Sequence, residues 1–260
     1  MAHYLTTNNA TLHFTDQGQG STALLFLHYW GGSAQTWQQV TAPLVPKVRC
    51  VAMDLRGWGR SRALDGRYDL EAMADDVQAL IEALGIERAV LVGHSMGGKV
   101  AQIVAGRLPA SLAALLLVAP APPKGLPVPA EVRQGMLDSY QSRAGVMQAL
   151  KVLTHQPLGE ADREQVITDT LAGDMAAKVY WTSEGILADI KEGLELVTVP
   201  VLILVGDKDE VERRQVLEPL FGAILPGAGF RVLADVGHLS PIEAPAQVAQ
   251  ACLELLEELA

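Results

Sequence analysis

The sequence predicts an α/β protein built on a mostly parallel central sheet flanked by helices, and three observations carry that prediction. Continuous apolar runs such as "TALLFLHY" and "VRCVAMDL" alternate with amphipathic stretches, as strands buried on both faces alternate with crossover helices. Short joints rich in Gly and Pro separate them. One stretch, 124–197, holds helical patterns alone, and 260 residues suffice for a single α/β core carrying such an insertion.

Taken in order, "YLTTNNATLHF" reads as a hairpin turning at Asn8 and Asn9, and the two apolar runs follow as buried strands. Leu70, Met73, Val77, Leu80, Ile81 and Leu84 recur at helical spacing, and Gly85 ends that helix. "RAVLVG", "LAALLLVA", "VPVLILVG" and "FRVLADVG" supply four more strands. The closing "PAQVAQACLELLEELA" gathers Val248, Cys252, Leu255, Leu256 and Leu259 on one helical face. After the strand near Ala121, "PPKGLPVP" leads into "AEVRQGMLDSYQSR" and "DMAAKVYWTSEGILADI", with no strand until Pro200. The expected organisation is a core of 1–123 and 198–260, with 124–197 as a helical cap over the sheet's carboxyl edge.

Composition narrows the partners. Hydrophobic residues form 49% of the chain and charged residues 19%, which excludes disorder. A formal net charge of -10 argues against nucleic acid and against an anionic membrane surface. No apolar run approaches the ~20 residues of a membrane span. "MAHYLTTNNA" lacks the basic and apolar regions of a signal peptide, so a cytoplasmic location is expected. Cys50 and Cys252 read as buried reduced thiols. Without CxxC or a Cys/His cluster, no metal is expected.

The stretch that points to chemistry is "GHSMGG", residues 93–98, where a strand ends and a helix begins. A sharp turn there strains the serine's backbone and demands minimal side chains two residues away, which Gly93 and Gly97 provide. A serine hydroxyl becomes a nucleophile only when a base takes its proton and a third group orients the base. His238 stands just past the last strand, whereas His3 is terminal, His13 sits in the first hairpin and His155 in the insertion. His94 adjoins Ser95 but points away from it in a tight turn, as a packing or hydrogen-bonding residue. "VLILVGDKDEVE" offers Asp207, Asp209 and Glu210 at the end of the preceding strand. The order Ser, acid, His then sets all three candidates at strand ends.

Together "FLHYWGGS", "DLRGWGRS", "GHSMGG", "LVGDKDE" and "GHLSPIEAP" resemble the α/β-hydrolase superfamily, particularly its small-capped esterases and cofactor-free haloperoxidases, or perhydrolases. The resemblance implies the α/β-hydrolase fold and, from the spacing after Gly206, Asp209 as the acid. It implies an oxyanion hole formed by the backbone N–H groups of Trp30 and Met96. Tyr29 stands where the family usually has glycine, and Glu212 where its acid loop often carries proline. Asp54 and Arg56 are expected to hold a structural loop. Tyr29, Tyr140, Met147, Tyr180 and Trp181 are candidate pocket residues. The expected activity is cofactor-free cleavage of esters of small, largely apolar acids through an acyl-enzyme. Perhydrolase and lactone hydrolase chemistry are the alternatives, and a ligand-binding receptor on a hydrolase scaffold is the competing class.

Overall fold

The computed structural model describes residues 2–125 and 127–259 and threads one sheet through them. Its strands are β1 (Ala2–Thr6), β2 (Ala10–Gln17), β3 (Thr22–Leu27), β4 (Arg49–Met53), β5 (Arg62–Ala63), β6 (Arg88–His94), β7 (Leu112–Val118), β8 (Val201–Gly206) and β9 (Gly229–Leu233). They lie in the order β1-β2-β4-β3-β6-β7-β8-β9, with β5 pairing β2 at the side. β1 and β2 form the expected hairpin, β2 runs antiparallel to β4, and the pairs from β4 to β9 are parallel. The hairpin turn is wider than Asn8 and Asn9 alone, because Thr7 closes it. Its hydroxyl accepts from the N–H groups of Asn9 and Ala10.

The helices are α1 (Gln38–Thr41), α2 (Leu70–Ala83), α3 (Met96–Gly106), α4 (Ala130–Ser139), α5 (Arg143–Leu153), α6 (Glu160–Ala172), α7 (Met175–Ser183), α8 (Arg214–Ile224), α9 (Ser240–Glu243) and α10 (Pro245–Glu257). Alternation along each strand explains the continuous apolar runs. Leu25, Leu27, Leu91, Leu115 and Leu117 face α2, α3 and α8, while Leu24, Phe26, Val90, Val92 and Leu116 face α1 and α10. Each such leucine contributes about 1.5–3 kcal/mol by its burial. Both cysteines are free thiols buried in the second of these layers, where burial raises their pKa values.

Several short or masked elements escape the sequence reading, among them α1, α9, β5 and α8. β5 is only two residues long. α8 carries Pro219 in its interior, which masks the helical recurrence of Leu217 and Phe221 on its buried face. Between β7 and β8 lie α4 to α7 and no strand among the described residues. No helix among them is long and apolar enough to cross a membrane.

Candidate active site

β6 ends at His94 and α3 begins at Met96, so Ser95 makes the turn alone. Its backbone lies at φ 51°, ψ -113°, a conformation that costs a side-chain-bearing residue about 1–3 kcal/mol. The surroundings hold it there. Ser95 N–H donates to Val118 O at 3.1 Å, and Ser95 O accepts from Lys99 at 3.0 Å and Ala121 at 3.1 Å. A Cβ on Gly93 would stand 2.6 Å from Gly97 O, and one on Gly97 would stand 2.4 Å from Leu27 O. The elbow therefore needs both glycines.

Asp209 follows β8 and His238 follows β9, as expected. His238 Nδ1–H donates to Asp209 Oδ2 at 2.9 Å, with both side chains buried. The other carboxylate oxygen accepts from the N–H groups of Val211 and Glu212, each at 2.8 Å. Burial alone would raise the Asp209 pKa, but the His238 ring and these two donors outweigh it and hold the carboxyl below its ordinary range. Asp207 is spent elsewhere, on the Lys208 ammonium and the Asp235 N–H. Ser95 and His238 open onto one cavity of about 430 Å³. His94 is fully buried and donates from Nε2 to His238 O at 2.8 Å, which supports the backbone of His238 from beneath.

The loop after β3 is shaped by a second buried histidine. His28 Nε2 accepts the Leu55 N–H at 3.0 Å, so the ring proton sits on Nδ1 and is donated to Tyr29 O at 2.7 Å. Gly32 N–H reaches the same carbonyl at 3.0 Å. Across a trans peptide C=O and N–H point in opposite directions, so anchoring Tyr29 O turns the Trp30 N–H the other way. The Ser95 carbonyl, anchored by Lys99 and Ala121, turns the Met96 N–H likewise. Neither N–H has a protein acceptor among the described residues. Tyr29 does not distort the loop. The positive φ falls on Gly31, at 104°, and the Tyr29 ring packs with Val146, Leu150 and Ile167.

Helices from the insertion grip this loop. The Tyr140 hydroxyl donates to Trp30 O at 3.1 Å, and its ring stacks on the Trp30 ring at 3.9 Å. Thr170 donates to Gly31 O at 3.0 Å, and Ser33 donates to Asp169 at 2.8 Å. Asp54 ties the far end by accepting from Ala34 N–H and from His13, and Arg56 is locked to Asp76.

Of the candidate pocket residues, Tyr29, Tyr140 and Trp181 line the cavity. Met147 and Tyr180 do not. Met147 lies on the outer face of α5, 36% exposed, and the Tyr180 hydroxyl accepts the Leu70 N–H at the start of α2. The apolar wall comes instead from residues such as Val132, Met136, Leu153 and Ile186. Val132 and Met136, four apart in "EVRQGM", were the available signal. Glu212 also lines the cavity, and no group of His, Cys, Asp or Glu suited to holding a metal occurs among the described residues.

A family model described as "Alpha/beta hydrolase family" matches residues 24–251. The chain belongs to the alpha/beta hydrolase family. It is similar to a pimeloyl-[acyl-carrier protein] methyl ester esterase of Citrobacter koseri, 30% identical over 94% of this chain and 97% of the relative. It is also similar to a bifunctional esterase/perhydrolase of Acinetobacter calcoaceticus, 31% identical over 81% of this chain and 83% of the relative. Against an acetyltransferase component of the Pseudomonas putida acetoin cleaving system, it spans 65% of the relative's length at 30% identity. The match to a methyl ester esterase of Pectobacterium carotovorum spans 42% of that relative. Among solved structures, an esterase from Exiguobacterium antarcticum shares this family fold with a TM-score of 0.90, covering 99% of this chain and 100% of that one at 19% identity.

Proposed function

We propose that this family member is a serine esterase that cleaves carboxylic esters of small, largely apolar acids. The observation that carries the reading is the Asp209–His238 hydrogen bond, made at the edge of a cavity that the strained Ser95 also lines. In this reading Ser95 Oγ attacks the ester carbonyl while His238 takes its proton and passes it to the leaving alcohol. Asp209 keeps the proton on His238 Nδ1 and stabilises the imidazolium that forms. The Trp30 and Met96 N–H groups receive the oxyanion, each worth about 2.7–4 kcal/mol in comparable sites. Water activated by His238 then clears the acyl-enzyme, with no metal or organic cofactor taking part.

Residues 124–197 act as a lid whose apolar side chains receive the acyl chain. A second reading follows from the Acinetobacter relative, named an esterase/perhydrolase. Peroxide would replace water on the same acyl-enzyme and release a peracid. The deciding experiment assays nitrophenyl esters of graded acyl length, lactones and peracid formation on one preparation, beside Ser95→Ala. Ester turnover lost in Ser95→Ala is the expected result. Stoichiometric labelling of Ser95 by a phosphonate with no turnover of any substrate would instead make the chain a ligand-binding receptor.

A further inference from the structure

The cavity wall is largely apolar, and Glu212 is the one carboxylate among its lining residues. This side chain is only 9% exposed, and Oε2 is sealed from solvent with no hydrogen-bond partner among the described residues. Among the described residues the carboxyl makes no ion pair either. Lys99, a cation within electrostatic reach, is itself fully buried, with an Nζ that has no hydrogen-bond partner among the described residues. Burial, reinforced by the charge on Asp209 and only partly opposed by Lys99, holds Glu212 well above the ordinary carboxylate range. That direction favours the neutral form, and a neutral carboxyl has an O–H to donate. A buried carboxyl without a partner costs about 1–3 kcal/mol, and an acceptor entering the cavity could meet it through Oε1, the oxygen that is not sealed. Its backbone is fixed by the hydrogen bond from Glu212 N–H to Asp209, which ties the side chain to the catalytic edge.

We propose that Glu212 is the specificity-determining hydrogen-bond donor of the cavity, and that the preferred acyl chain carries an oxo or hydroxyl oxygen to accept from it. The proposal rests on the serine esterase reading and narrows its substrate class from apolar acids to largely apolar acids with one oxygen acceptor. Such a group would discriminate strongly, because a plain alkyl chain leaves the carboxyl buried and unpaired.

The test compares kcat/KM for matched nitrophenyl esters, pentanoate against 4-oxopentanoate and butanoate against 3-hydroxybutanoate, each corrected for its alkaline hydrolysis rate. Wild type is expected to favour the oxygenated member of at least one pair. Glu212→Met should reduce that preference by about tenfold, and Glu212→Gln, which keeps an N–H donor, should largely retain it. Absence of any preference in wild type, or a preference unchanged in Glu212→Met, overturns the proposal. The same ratio is read without turnover as the affinities of Ser95→Ala protein, with and without Glu212→Met, for methyl pentanoate and methyl 4-oxopentanoate. Turnover surviving in Ser95→Ala would sink the esterase mechanism alone, whereas an affinity ratio indifferent to Glu212→Met would sink the donor alone.

Discussion

Ser95 occupies a backbone conformation that suits only glycine, and the cost of holding it there is measurable. Replacing it with glycine removes about 1–3 kcal/mol of strain and adds about 0.5–1 kcal/mol of chain entropy. Ser95→Gly is therefore expected to raise stability by about 1 kcal/mol, a Tm gain of roughly 2–4 °C for a chain of this size. Turnover should fall by about 10⁶-fold, as when other triads lose their nucleophile. A variant less stable than wild type in thermal denaturation would show that the elbow is relaxed. For the acid, Asp209→Asn should lower kcat by about 10⁴-fold by disturbing the His238 tautomer. Asp207→Asn should change it only a fewfold, because Asp207 bonds the turn and solvent-facing Lys208. Steady-state kinetics reversing that order would identify the wrong carboxylate. Ser95 was legible because the turn imposes glycines on its neighbours, a constraint written into sequence. Glu212 was not legible as a wall residue, since nothing in "DKDEVER" marks which acid turns inward.

At the scale of elements, the loop following β3 depends on helices far along the chain, and this was invisible in sequence. The strands could be read from their unbroken apolar runs, and α2 from its recurrence between Asp69 and Gly85. No periodicity reveals that Tyr140 and Thr170 donate to the carbonyls of Trp30 and Gly31. These bonds tie the stretch between β7 and β8 to the loop that carries the Trp30 N–H. Tyr140→Phe keeps the stacked ring but frees the Trp30 carbonyl, and is expected to lower kcat by about tenfold with little change in KM, the value of one ordinary hydrogen bond. A change confined to KM would assign Tyr140 to substrate contact instead. Asp169 adds a pH dependence to the same grip. Burial raises its pKa to about 6, against the opposing hydrogen bonds from Ser33 and Gln165. The native state thus holds this proton more tightly than the unfolded chain, and its contribution to stability falls as pH rises from about 4 to about 6. Asp169→Asn removes that decline, so the variant should gain about 3 kcal/mol on wild type across this window in urea titrations. Parallel stability curves for the two proteins would show that Asp169 keeps an ordinary pKa.

For the whole molecule, the proposed reading gives the stretch between β7 and β8 two kinds of work, and Trp181 and Tyr140 divide them. Both rings line the cavity. Tyr140 also bonds the Trp30 carbonyl, whereas the Trp181 ring rests on Gly185, within the insertion itself. Truncating Trp181 therefore enlarges the space for an acyl chain without loosening the loop that carries the Trp30 N–H. Contacts worth a methylene or two shift selectivity by only about 1–3 kcal/mol. Trp181→Ala is accordingly expected to move the kcat/KM ratio of octanoate to butanoate esters by roughly 10–100-fold in favour of the longer chain. Labelling of Ser95 by a small, fast phosphonate should stay within about threefold of wild type, because that probe engages Ser95, His238 and the two N–H donors and leaves the far wall empty. Tyr140→Phe should do the reverse, slowing the label while leaving the chain-length ratio in place. If Trp181→Ala slowed the label as much as Tyr140→Phe while the protein stayed folded, the wall and the grip would be one structure. Acyl-chain preference could not then be changed without changing the catalytic rate.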